Sequence, residues 1–225
     1  MAARVVLNYK NIPYETKFVE YPDLEATLSG LGLPPNEEGT AFAPYSSPTI
    51  RLPDGTMVMN SANIIPKLEA KYPKPSLYLE TGLHKEAEKL ITDLGLATWW
   101  DGMVTTKDEL LPPRSSEYFA RTRKEVFGAS LEDCAAAKGG ETAWKNAVEP
   151  IKKLAAFMKE HRKKGEEDGP FVLGNEPSYA DFMIVTMFEC YERCHDESYQ
   201  KVVVEGDLSF KALHEACRPW LKRDD

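Results

Sequence analysis

The spacing of apolar residues changes character part-way along the chain. Up to about residue 72 they fall in short clusters broken by Pro, Gly and Asn; beyond Leu83 they recur three and four apart over long stretches. Residues 2–10 (AARVVLNYK) form a short apolar segment, and Asn11 behind it is a fair helix stop. Residues 14–21 (YETKFVEY) read as a strand with Tyr14, Thr16, Phe18 and Glu20 on one face. Asp23 can cap a short helix through Leu31, with Leu24, Leu28 and Leu31 as its apolar positions. Residues 32–44 are loop. Residues 46–52 (SSPTIRL) read as a strand headed by Pro48. In Pro53-Asp54-Gly55-Thr56, Pro presets φ and Gly supplies φ > 0, so the chain turns and residues 57–59 (MVM) pair back as a hairpin. Asn60-Ser61 stops that strand, and either side chain can cap the helix expected over 62–71.

Residues 72–83 (YPKPSLYLETGL) lack a period and are rich in turn formers, which makes them a linker. Leu83, Ala87, Leu90, Ile91 and Leu94 then form a helical stripe. The same helix carries Trp99, Trp100 and Met103 and ends before Pro112-Pro113. A helix restarts over 115–127 with Ser116 as a possible cap, and 130–140 is a break. Trp144, Ala147, Val148, Ile151, Leu154, Ala155 and Met158 make the next stripe. His161-Arg162-Lys163-Lys164-Gly165 closes it, with basic residues set against the helix C-terminus. Ser178-Tyr179-Ala180-Asp181 is a capping-box variant. The helix it opens is apolar on most sides (Phe182, Met183, Ile184, Val185, Met187, Phe188), so it is buried and the box serves folding. Residues 208–221 are a final helix.

Composition narrows the function classes. The net charge of −8 argues against nucleic acid or an anionic membrane as a main partner. No apolar run is long enough to span a bilayer, and no secretory signal opens the sequence. Four cysteines, Cys134, Cys190, Cys194 and Cys217, are too few and too scattered for a disulfide framework. These features describe a cytoplasmic globular protein. Cys190 and Cys194 lie one turn apart beside His195, and His214 with Cys217 would be the second pair of a zinc site. The spacing does not match structural zinc sites, so reduced thiols and no metal are expected.

One stretch carries candidate chemistry. X-Pro is the one place where a cis bond is cheap, and a cis Ser47-Pro48 bond would turn the backbone of Ser47 toward a ligand. The free N–H groups at the start of the 62–71 helix form an anion site. Together they would clamp an extended small ligand with a carboxylate at one end. Pro48 also reads as an ordinary strand-edge proline, and Asn60-Ser61 as a plain helix cap.

Proline-headed strand, Asp-Gly turn, short strand and x-Ser-x-x-Ile helix start together resemble the glutathione-binding half of the glutathione transferases. "LNYKNIPYETKFVEYPD" is similar to the end of that family's first helix and its second strand. "LG…PSYADF" resembles the box that opens its core helix. YFARTRKEVFG (118–128) and CRPWL resemble the fungal branch related to bacterial β-etherases and to transferase-like proteins of secondary-metabolite clusters. The resemblance implies an α/β plus all-α fold: a thioredoxin-like domain over 1–72, incomplete because its first strand is missing, a linker over 73–83, and a helical domain over 84–225.

The resemblance also implies roles. Pro48 would be cis, Ser47 would pair through its backbone with the cysteinyl part of glutathione, and Ser61 would hold the γ-glutamyl carboxylate. Asn60 stands where the family usually has an acid; it can hydrogen-bond but cannot ion-pair with the ligand's amino group. Glutathione would be co-substrate, its thiolate attacking a hydrophobic electrophile. Trp99, Trp100, Met103 and Tyr118 would line the acceptor pocket, or belong to the core. A homodimer is implied, as is usual for the family. The family's catalytic Tyr, Ser or Cys sits between the first strand and first helix and has no counterpart here. Only Met1 precedes the helix, Ala2 and Ala3 cannot act, and the Met1 amino group is poorly positioned, so the catalytic residue is unknown. The missing strand implies a rebuilt sheet, a strand from a partner or a truncated sequence, and truncation is the expectation. Three functional readings result: a transferase with weak catalysis, a non-catalytic binding scaffold, and an interaction protein that binds no glutathione.

Overall fold

The computed structural model describes residues 2–39, 43–162, 165 and 168–222. Helix α1 (Ala2–Tyr9) buries Ala3, Val5, Val6 and Leu7, and ends where Asn11 takes a φ of 51°. A 3-10 turn (Tyr21–Asp23) leads into α2 (Leu24–Gly30). Strands β1 (Thr49–Arg51) and β2 (Met57–Met59) form an antiparallel hairpin with Ile50 opposite Val58. Gly55 supplies the positive φ of the turn, at 88°, and the Asp54 carboxylate accepts from the Thr56 N–H at 2.9 Å. Helix α3 (Ser61–Lys71) comes directly after, burying Ile64, Ile65 and Leu68.

The remainder is helical. Helix α4 (Leu83–Thr105) runs into a wide-turned segment (Thr106–Leu110) and stops before the two prolines. Next come helices α5 (Pro113–Phe127), α6 (Leu131–Lys138), α7 (Gly140–Glu160) and α8 (Tyr179–Cys194). A short α9 (Asp196–Ser198) and another wide turn (Tyr199–Val204) lead to α10 (Leu208–Leu221). Helix α4 packs on α6, α7 and α8, while α8 packs also on α1 and α10. Phe182, Phe188, Tyr191 and Phe210 are fully buried at that centre. The Tyr191 phenol finds its partner there in the Thr98 hydroxyl, at 2.6 Å.

Several expectations are corrected. Residues 14–21 do not form a strand: among the described residues the only sheet is the β1–β2 hairpin. The alternation is present, but a strand needs a neighbour to complete its ladder. Phe18 is 80% exposed, with the Arg4 guanidinium 5.3 Å from its ring. Helix α5 begins at Pro113, which needs no N–H partner at a first turn, so Ser116 lies inside the helix rather than capping it. The supposed break at 130–140 contains α6, capped by Ser130 accepting from the Asp133 N–H at 3.0 Å. Val148 is exposed rather than part of the α7 core stripe. Asp23 precedes α2 but does not cap it; its carboxylate takes a two-pronged bond from Arg114 at 2.8 and 3.1 Å. Met1, Lys163 and Lys164, to which roles were assigned from sequence, lie outside the described residues.

One buried charge joins the first helix to the segment beyond α3. The Lys10 ammonium has no exposed surface and donates to the carbonyls of Tyr72 and Pro75 at 2.6 Å each. Glu69 balances it at 2.6 Å and accepts from the Leu77 N–H at 2.9 Å. A buried ammonium is tolerable only when paired and hydrogen-bonded in this way.

Candidate binding site between the hairpin and the third helix

The hairpin brings Ser47-Pro48 and Asn60-Ser61 to the same end of the sheet. The Asn60 N–H donates to the Pro48 carbonyl at 3.1 Å, which sets the two dipeptides side by side. The Ser47-Pro48 bond is cis, as is Lys74-Pro75 in the linker, which the sequence did not single out. Ser47 is exposed, while Pro48, Asn60 and Ser61 are half-buried.

Three contacts brace the segment ahead of Pro48. The Asn36 side-chain amide donates to the Ser46 hydroxyl at 3.0 Å and to the Ala43 carbonyl at 2.9 Å. The Ser46 N–H points at the Met59 sulfur, 3.3 Å away. Asn36 lies in a loop where sequence reasoning named no residue; its only local signal is an Asn among turn formers.

The start of α3 is built from Asn60. Its carboxamide oxygen accepts from the Ala62 N–H at 3.1 Å, which makes it the N-cap. Its backbone sits at φ 73° and ψ 129°, a region L side chains rarely occupy. Such conformations cost about 1–3 kcal/mol and collect at ligand clamps. The side chain of Ser61, next along, lies near the Tyr179 phenol. Tyr179 opens α8 and is buried, and that burial pushes its pKa up to about 12, so the phenol keeps its proton at neutral pH. Sequence reasoning treated the box around Tyr179 as a folding element only. A contact between positions so far apart in the chain leaves no local signal.

The box is closed as expected. Asp181 is wholly buried and accepts from the Val172 N–H, the Ser178 N–H and the Ser178 hydroxyl, at 2.8, 2.8 and 2.6 Å. Burial pushes its pKa up to about 6 against these three bonds, which favour the anion.

The four residues named for an acceptor pocket have different neighbours. Trp99 packs on Tyr191, with ring centroids 5.6 Å apart. Trp100 turns to Phe127 at 5.4 Å, under the Lys138 ammonium at 4.2 Å, and its indole N–H donates to the Leu96 carbonyl. Tyr118 stacks on Tyr21 at 6.4 Å. Met103 is half-buried. Consecutive helix positions point about 100° apart, which is why Trp99 and Trp100 diverge.

The histidines that a zinc site would need are engaged elsewhere. The ring nitrogens of His214 meet Glu189 and the Tyr199 phenol at 3.1 Å each, and the His195 Nδ1 meets the Ser198 hydroxyl at 2.7 Å. Glu189, Glu192 and His214 do cluster, but Arg193 and Arg218 already hold the two carboxylates.

The chain as a whole is similar to known proteins. The pattern described as "Glutathione S-transferase, C-terminal domain" matches residues 83–220, and that of the N-terminal domain matches 1–71. The chain belongs to the glutathione S-transferase family. It is 33% identical over 231 residues to the "Glutathione S-transferase-like protein ustS" of Aspergillus flavus, covering 97% of this chain and 82% of that one. Among solved structures, glutathione transferase GSTFuA2 of Phanerochaete chrysosporium superposes with a TM-score of 0.84 over 99% of this chain and 90% of that chain, at 24% identity. The glutathione S-transferase CsGST63524 of Ceriporiopsis subvermispora, solved in complex with glutathione, gives a TM-score of 0.81 at 27% identity, covering 100% and 91%. The transferase architecture is therefore a thioredoxin-like region with a small two-stranded sheet, followed by the family's helical domain. No helix among the described residues is long and apolar enough to cross a membrane.

Proposed function

We propose that this transferase binds glutathione across Ser47-Pro48 and Asn60-Ser61 and conjugates its thiolate to a hydrophobic electrophile. The observation that carries the reading is the 3.1 Å bond from Asn60 to the Pro48 carbonyl, which sets the exposed Ser47 beside the half-buried Ser61 at the start of α3. An extended peptide can pair with the first, and a carboxylate can sit on the second. The glutathione complex of a fungal relative at 27% identity supports the same ligand. Asn60 provides hydrogen bonds but no charge for the ligand's amino group, so affinity is expected below that of an acidic counterpart.

The same reading divides the chain into a glutathione-binding part over 1–72, a linker over 73–83 and a helical part over 84–225. Trp99, Trp100, Met103 and Tyr118 lie on the helices that would border the acceptor. Glutathione is the co-substrate, and the protein works in the cytoplasm as a homodimer. Its place is detoxification or secondary metabolism.

A second reading is a glutathione-binding scaffold without turnover. A thiol with an ordinary pKa near about 8.5 is mostly protonated at neutral pH unless donors stabilise its anion. The test is to follow conjugation of glutathione to a chromogenic aromatic electrophile alongside glutathione binding. Turnover well above the uncatalysed rate supports the transferase. Binding without turnover assigns the scaffold, and neither would leave the interaction protein.

A further inference from the structure

Cys190 and Cys194 stand one turn apart at the end of α8, their sulfurs 3.9 Å from each other. Both are partly exposed, whereas Cys134 and Cys217 are 5% and 0% exposed. The two sulfurs divide one proton's work unequally. Cys190 is the more enclosed, and its bond to Cys194, with burial, holds its proton on. Cys194 receives that bond, which brings its pKa down to about 7 against its own partial burial. The Thr106 hydroxyl also lies against Cys194; it donates to the Gly102 carbonyl at 2.7 Å and can turn its proton to the sulfur. The C-terminal dipole of α8 opposes an anion there, so these donors must outweigh it.

The spacing also decides what such a thiolate would do. Side chains four apart on a helix keep their Cβ atoms about 5–6 Å apart. A disulfide asks for about 3.5–4.5 Å. The pair therefore favours a hydrogen bond between its sulfurs over a bridge, and a partner from outside is the better acceptor. We propose that Cys194 is a thiol-exchange site that takes up one glutathionyl group from glutathione disulfide, with Cys190 as its hydrogen-bonding partner. The Cys194 thiolate attacks one sulfur of glutathione disulfide, and a Cys194–glutathionyl S–S bond forms. The original S–S bond breaks, its electron pair leaves with the second glutathione as thiolate, and that thiolate takes a proton from water. The step needs no glutathione cleft, so it stands independently of the conjugation reading.

The test is to incubate the full chain with glutathione disulfide at neutral pH and follow it by intact mass and peptide mapping. One glutathionyl group on Cys194 is expected, ahead of Cys134 and Cys217, and a reductant should remove it. The map is read on the unaltered chain, so no variant has to fold for it. Cys190→Ala should slow the uptake about five-fold, since the larger thiolate fraction is partly offset by lower intrinsic nucleophilicity. Cys194→Ser should abolish the fast phase. Even labelling of all four thiols, an unchanged rate in Cys190→Ala, or loss of two hydrogens to an internal Cys190–Cys194 bridge would each overturn the proposal.

Discussion

The helices α3 and α8 begin with similar capping residues and meet opposite surroundings. At the α8 start, Ser178 and Asp181 are buried, and Asp181 accepts from the Val172 N–H, the Ser178 N–H and the Ser178 hydroxyl. At the α3 start, Ser61 is half-buried, and Ala62 and Asn63 beside it are exposed. One start is enclosed in the interior; the other lies at the surface, where Asn60 holds the Ala62 and Asn63 N–H groups and Ser61 stands at the edge. The difference separates a cap that secures the fold from one that can take a ligand. The two also come together, because the phenol of Tyr179, the first residue of α8, lies near Ser61. The closed start thus braces the open one.

The largest effect should come from the closed start. Asp181→Ala leaves three buried donors unsatisfied and should cost about 3–5 kcal/mol, the range for breaking a buried charged network. Denaturant unfolding with an unchanged slope would read it, and a loss under about 1 kcal/mol would erase the contrast with α3. The pH dependence comes from the raised pKa. Folded Asp181 binds its proton up to about pH 6, while the unfolded residue releases it near 3.8. Its contribution is therefore fully present below that lower value and is lost as pH rises through about 6. Against Asp181→Asn, which does not titrate there, wild-type stability should fall over this window.

Next in size is the strain at Asn60. Glycine accepts a φ of 73° without penalty and costs only a few tenths as a cap. Asn60→Gly should therefore raise stability by about 1 kcal/mol, while Asn60→Ala, which keeps the strain and loses the cap, should lower it by about as much. Equal effects from the two would mean that the backbone is not strained. Asn60→Asp tests the site rather than the fold: it restores a charge for the ligand's amino group, and glutathione should bind several-fold tighter. The smallest change in stability belongs to Tyr179→Phe. It should stay within about 1 kcal/mol, because the hydroxyl left behind on Ser61 is half-open to water. If the brace matters, glutathione affinity falls in that variant although Tyr179 itself is buried.

Legibility in the sequence tracks the range of the interactions. The hairpin was legible because Pro53-Asp54-Gly55 determines a turn locally, and the α8 box because Ser178 and Asp181, three apart, bond to each other. The capping residues Asn60 and Ser61 were visible as a pair, and the structure assigns the cap to Asn60. The strand expected at 14–21 failed because alternation reports a tendency, while a ladder needs a second chain segment beside it. Helix α6 was missed although Ser130-x-x-Asp133 is a cap signature, because the helix is short and only Leu131 and Cys134 are buried. The Asn36–Ser46 bond and the approach of Tyr179 to Ser61 join separate segments, and nothing local to either partner announces them.

The central claim is that the open start of α3 holds the carboxylate of glutathione. Calorimetric titration of glutathione into the wild-type chain and into Ser61→Ala tests it most directly. Saturable binding to the wild type, weakened by about 1–2 kcal/mol in Ser61→Ala with folding intact, is the predicted result, in keeping with loss of a hydrogen bond to a charged group. No binding to a folded wild type, or equal binding to both, would contradict it.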